Sequence, residues 1–129
     1  MRIVPGPFTK AIAVINLAIA ALMMVPSLFE PMLIAGALIP ARFTQGDAAL
    51  AGYFLLPVWI TPLSSAFLHG GILHAGLNML MLLLIAPNIE RVLGTRSIMI
   101  IYGAGLLMAA LVEILVKPGS FGPVVGASG

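Results

Sequence analysis

From Ala48 to Ile89 the chain runs through 42 residues without one formal charge. Such a stretch cannot face water on a soluble domain, and at about 20 residues per bilayer crossing it is too long for a single span. Pro57, Pro62 and the Gly70-Gly71 pair divide it into an irregular front part and a helical back part. The rest of the chain agrees. Of 129 residues, 61% are hydrophobic and 8% charged, against about 25% charged in ordinary soluble domains. A soluble globule and a disordered chain are both excluded. The net charge of +2 comes from six dispersed basic residues against four acidic ones, which makes no nucleic-acid surface. The absence of cysteine excludes disulfide scaffolds, thiolate zinc sites and iron–sulfur clusters. The composition describes an all-α integral membrane protein, read as one transmembrane domain over residues 1–129.

The charges mark out the spans. Lys10 and Glu30 bracket an apolar run, Ala11 to Phe29, whose length at 1.5 Å per residue comes close to the hydrocarbon thickness. That run exceeds the apolar region of an ordinary signal peptide, so an uncleaved first span over about 11–29 is expected. The second span is expected over about 70–87, with ILHAGLNMLMLLLIAP as its body, and the third over about 97–116. After Lys117 come Pro118, Gly119, Gly122 and Pro123, a turn-rich connector, and another helix is expected to begin at about 126.

Arg2 and Lys10 precede the first span, and Arg91 and Arg96 join the second to the third, whereas Arg42 and Lys117 fall on the opposite side. By the positive-inside rule the N-terminus is expected in the cytoplasm, in a multi-pass protein of a bacterial inner (plasma) membrane. Glu30 to about Leu68 then forms an extracytoplasmic loop. Its AGYFLLPVWITPL stretch carries Tyr53, Phe54 and Trp59 without a charge and is expected to lie partly in the bilayer edge.

Polar groups inside a span are functional candidates by default. His74 and Asn78 are four residues apart, hence on one helical face about a turn from each other. His69 is five residues before His74, and on a continuous helix the two histidines would face different ways, with no carboxylate nearby to complete a metal site. On spacing alone, a pair like His74 and Asn78 is most often a hydrogen-bonded contact between helices. Glu113 sits near a helix end and can reach the interface. Gly126-Ala127-Ser128-Gly129 places a serine between small residues where a helix should start. Its hydroxyl would be sterically free, beside the unpaired N–H groups of a helix N-terminus.

Together these residues resemble the rhomboid family of intramembrane serine proteases. The matching stretch begins at Thr61-Pro62-Leu63 and continues through Phe67-Leu68-His69-Gly70 and His74-Ala75-Gly76-Leu77-Asn78-Met79-Leu80. It goes on through Asn88-Ile89-Glu90 and Leu93-Gly94 to Gly126-Ala127-Ser128-Gly129. The resemblance implies a rhomboid-like helical bundle, here the first three transmembrane helices plus the start of the fourth. It implies Ser128 as nucleophile, His74 and Asn78 as oxyanion-hole donors, transmembrane protein substrates in the lipid bilayer, and neither cofactor nor metal. The family's general base is a histidine on the sixth helix. No residue here matches it, since His69 and His74 both belong to the second-helix motif, so this 129-residue chain alone is expected to be inactive. The family's frequent Trp-Arg pair is also missing from the first loop, where Ala41-Arg42-Phe43 and an isolated Trp59 stand instead. The alternative is a non-catalytic rhomboid-like protein that binds transmembrane clients, for which the GASG and HxxxN sequences would be needless.

Overall fold

A computed structural model describes residues 4–126. They form six α-helices: α1 (Pro7–Met23), α2 (Pro26–Gly36), α3 (Pro40–Gln45), α4 (Thr61–Ser64), α5 (Ile72–Leu93) and α6 (Thr95–Val116), with short 3-10 turns between α3 and α5. Among the described residues no strand occurs, only an isolated antiparallel bridge between Leu38 and Val124. The all-helical class expected from composition is the observed one.

α5 and α6 are each 22 residues, about 33 Å of rise, and are long and apolar enough to cross a membrane. Their outer faces expose Leu77, Leu80, Leu84, Ile100, Val112 and Leu115, which suits lipid rather than water. α5 does not stop at Pro87, where the sequence suggested the span would end, but continues to Leu93. Proline forfeits one backbone hydrogen bond there, and Glu90, held by four donors described below, secures the turn that follows. α6 starts two residues earlier than expected, directly after Gly94, whose φ of 84° reverses the chain between the two helices.

The first span is the main departure. A single helix over 11–29 is expected, but α1 ends at Met23 and α2 starts at Pro26. The cause is local: the residue before a proline is pushed out of the helical region, and Val25 is extended (φ −76°, ψ 116°). The same device starts α1 after Gly6 and α3 after Ile39, each with proline in the first helical turn. Glu30 therefore lies within a helix and not at the start of a loop.

α1 packs chiefly against α5, and α5 against α6. The apolar core lies towards the far end of α1, where Met23, Ala37, Ile39, Ala41 and Leu68 are buried beneath Ile19, Phe29 and Leu33. Residues 30–68 fold back over this core. Leu56 N–H donates to Ala35 O (3.0 Å), and the Ser64 hydroxyl donates to Gly36 O (2.6 Å). The buried Arg42 donates to Asp47 Oδ1 through Nε (2.6 Å) and to Leu56 O through a terminal nitrogen (2.8 Å). Phe54 and Trp59 stay largely exposed, in keeping with an apolar rim.

At the other end a carboxylate ties three helices together. Glu90, 5% exposed, accepts from Phe8 N–H (2.8 Å), Thr9 N–H (3.0 Å), the Thr9 hydroxyl (2.7 Å) and the Thr95 hydroxyl (2.9 Å). It thereby satisfies two orphan donors of the α1 N-terminus, where the helix dipole favours negative charge. Lys10, Arg91 and Arg96 consequently share one end of the bundle. Arg42 and Lys117 share the other, where the Thr44 hydroxyl donates to Pro118 O (2.6 Å).

Candidate active site

The α5 N-terminus supplies the first part of the site. Gly70 and Gly71 break the backbone between a 3-10 turn at Ser65–Phe67 and the helix, so His74 falls in the first turn of α5 and Asn78 one turn deeper on the same face. Both side chains are half-buried. Gly70 N–H donates to His74 Nδ1 at 3.3 Å. A nitrogen that accepts a hydrogen bond carries no proton, so the neutral ring holds its proton on Nε2, which is thereby a donor. Asn78 Nδ2 is buried with no acceptor, a second donor free to serve.

The second part arrives from far along the chain. Leu38 and Val124 exchange both backbone hydrogen bonds (3.1 and 2.8 Å), and Ala41 N–H donates to Ser120 O (2.9 Å), so the connector after α6 is clamped to the segment before α3 and to the first turn of α3. Gly126 N–H then donates to Ser65 O at 2.8 Å. This lays Gly126 directly on the two α5 donors. A Cβ added to it would stand 2.6 Å from His74 Nε2 and 2.8 Å from Asn78 Nδ2, and its φ of 85° is itself one that side chains rarely adopt. Glycine is the residue that fits both demands.

The structure thus brings His74, Asn78 and the first residue of the GASG sequence together. Gly126, where the fourth helix is expected to begin, is a bend, and Ala127, Ser128 and Gly129, including the expected nucleophile, lie outside the described residues. Two free N–H donors converging beside a glycine backbone can stabilise negative charge developing on an oxygen. A cleft of about 30 Å³ adjoins Gly126, shared with Ser65, Glu113 and Val124, with room for a water. Glu113 accepts from Lys117 Nζ at 3.0 Å across its outer side.

His69 corrects a sequence expectation. Spacing on a continuous helix set it on a different face from His74, but it lies before the Gly70-Gly71 break and is not helical. Its ring meets that of His74 edge-on, with centroids 5.5 Å apart and an interplanar angle of 80°. Burial holds its pKa below the ordinary histidine value, the neighbouring His74 acts in the same direction, and the Phe67 backbone pulls less strongly upward. Among the described residues no group of three His, Cys, Asp or Glu side chains could hold a metal ion. Sequence reasoning missed the Gly70 amide, the Ser65 carbonyl and the Leu38–Val124 bridge, none of which has a side-chain signature.

A family model described as the Rhomboid domain matches residues 57–129, more than half of the chain. No curated protein and no solved structure matches it.

Proposed function

Because the chain belongs to the rhomboid family, whose members are membrane-embedded and include both intramembrane proteases and inactive relatives, we propose that it is of the proteolytic kind. In this reading it is a serine endopeptidase that cleaves transmembrane substrates near the bilayer surface. The supporting observation is the close approach of Gly126 to His74 Nε2 and Asn78 Nδ2, two donors with no acceptor among the described residues.

The chemistry runs from those donors. Ser128 Oγ attacks a substrate carbonyl carbon, its proton passes to a general base, and the carbonyl oxygen becomes an oxyanion. His74 Nε2–H and Asn78 Nδ2–H, fixed beforehand in a region poor in water, stabilise that oxygen more in the transition state than in the substrate. Collapse expels the amine, which takes the proton from the base, and water then hydrolyses the acyl-enzyme. Neither histidine here suits the role of base. The Nδ1 lone pair of His74 is engaged by Gly70 N–H, and His69 is buried against the His74 ring, so the reading takes its base from outside residues 1–129.

The substrate is a membrane-spanning segment entering sideways from the bilayer, its helix loosened by small residues so that one peptide bond reaches Ser128. Lys10, Arg91 and Arg96 at one end of the bundle support an N-terminus in the cytoplasm and a reaction at the opposite face of a plasma membrane.

The test uses the protein expressed from its full reading frame, purified into lipid vesicles with a reporter transmembrane segment and a fluorophosphonate probe. Ser128→Ala is expected to abolish cleavage and labelling together. His74→Ala and Asn78→Ala are each expected to lower kcat by about 10–10³-fold with the fold retained. Cleavage that survives Ser128→Ala, or a folded protein that retains the reporter without ever cutting it or taking up the probe, overturns the reading.

A further inference from the structure

Holding His74 in one orientation is harder than its hydrogen bond suggests. Beside Gly126, the ring presents Nε2 and Cε1 at almost equal range, 2.6 and 2.8 Å from where a Cβ would stand. Turning the imidazole over would put Nε2 where Cε1 now stands and a C–H where the N–H now points, so the direction of the donor depends on which way the ring lies. Among the described residues the one hydrogen bond opposing that turn, from Gly70 N–H to Nδ1, is long at 3.3 Å and comes from the break between the 3-10 turn and α5. Something else must restrain the ring.

We infer that His69 is a positioning residue for His74, its ring packed edge-on against the His74 imidazole so that Nε2–H stays turned towards Gly126. This rests on the oxyanion role proposed above for His74. His69 is 3% exposed, yet neither of its ring nitrogens has a hydrogen-bond partner. A polar ring buried with no closer partner than the Phe67 backbone is costly, and that weak approach does not by itself explain its presence. What it does make is the aromatic contact, at a separation and angle favoured by ring quadrupoles. Its other side borders a cavity of about 240 Å³ lined by Ala20, Met23, Phe29 and Ala75. Without the His69 ring that space would extend up to His74 and leave it free to turn. The chain carries the contact from outside the helix, before the Gly70-Gly71 break.

Three substitutions separate the possible reasons for a histidine here. His69→Ala removes ring and volume, His69→Leu keeps much of the volume without an aromatic edge, and His69→Phe keeps the edge without nitrogens. Each is made in the protein expressed from its full reading frame, in vesicles, with cleavage of the reporter segment and ¹⁵N imidazole spectra of His74 both recorded. Ala and Leu are expected to lower kcat about three- to tenfold with KM within twofold, the range an aromatic edge contact supplies. The His74 Nε2–H signal should broaden or be lost in both. Phe is expected to restore kcat and the signal, and to raise the midpoint of thermal unfolding because two unpartnered nitrogens are gone. Phe as slow as Ala would mean the nitrogens act and would overturn the inference, as would Leu indistinguishable from the parent, or an unchanged His74 signal in Ala and Leu. If the signal responds as expected while cleavage does not, the hold on His74 stands and the oxyanion role fails. Should Ala not fold, the Leu and Phe pair carries the same comparison.

Discussion

Replacing Glu90 by glutamine tests whether the knot at the α1 N-terminus holds the bundle. The change keeps the side chain's length and shape, so packing is nearly untouched. A carboxylate can accept all four bonds at once, through Oε1 from Phe8 N–H and the Thr95 hydroxyl and through Oε2 from Thr9 N–H and the Thr9 hydroxyl. An amide has one oxygen and one NH₂. Either threonine hydroxyl can turn to accept from the NH₂, but a backbone N–H cannot. Whichever way the amide sits, Phe8 or Thr9 N–H faces a donor and goes unsatisfied, at about 1–3 kcal/mol. The remaining bonds lose their charge assistance and the helix dipole loses its anion, which adds roughly 1 kcal/mol. Glu90→Gln is thus expected to destabilise the protein by about 2–4 kcal/mol, read from reversible unfolding in mixed detergent micelles. Glu113→Gln is the control, since its partner Lys117 is 59% exposed and such a pair contributes about 0.5 kcal/mol. If Glu90→Gln falls within about 1 kcal/mol of the parent, or costs no more than Glu113→Gln, the carboxylate is not what binds these helix ends.

Gly126→Ala should lower kcat by about a hundredfold while the helices remain folded by circular dichroism, because its Cβ collides with both α5 donors and the backbone must shift; unchanged turnover would refute the contact. The hydrogen bond and the charge of Arg42 hold the Asp47 carboxyl below the usual carboxylate range. A depressed folded pKa contributes stability above the unfolded value that is lost as pH falls through the folded one, so acidification below pH 4 should loosen residues 40–60. Fluorescence of the sole tryptophan, Trp59, would report this, and Asp47→Asn should remove the transition. For orientation, Ala49→Cys and Val92→Cys, both at exposed sites, should respond oppositely to an impermeant thiol reagent on whole cells; labelling of Val92→Cys alone would invert the orientation.

α5 and α6 were legible in the sequence because long apolar runs between charges leave few alternatives. The break at Met24 and Val25 carried a visible signal in Pro26, but hydrophobic length outweighed it, although proline acts on the residue before it whatever the hydropathy. His69 was misplaced for a related reason: a five-residue spacing has a helical meaning only on a helix, and Gly70-Gly71 ends that assumption. The His74–Asn78 face followed from a four-residue period, whereas its meeting with Gly126 depends on backbone bonds from Ser65, Leu38 and Val124, which any sequence could make. Glu90 stood in a recognised pattern, but its partners Phe8 and Thr9 are 82 and 81 residues away, beyond the reach of any local rule.

That last separation bears on the order in which the molecule assembles. At about 5–20 residues per second, several seconds pass between synthesis of Thr9 and of Glu90. Throughout that interval the nascent α1 sits with its leading amides uncapped, restrained only by the bilayer and by water at its end. Insertion and consolidation are therefore separate events, and the second waits for the α5–α6 hairpin to close a loop of some eighty residues, a slow, long-range step. Mutations at Glu90 should leave every span inserted while slowing their docking, producing chains that reach the membrane yet fall to quality-control proteases there.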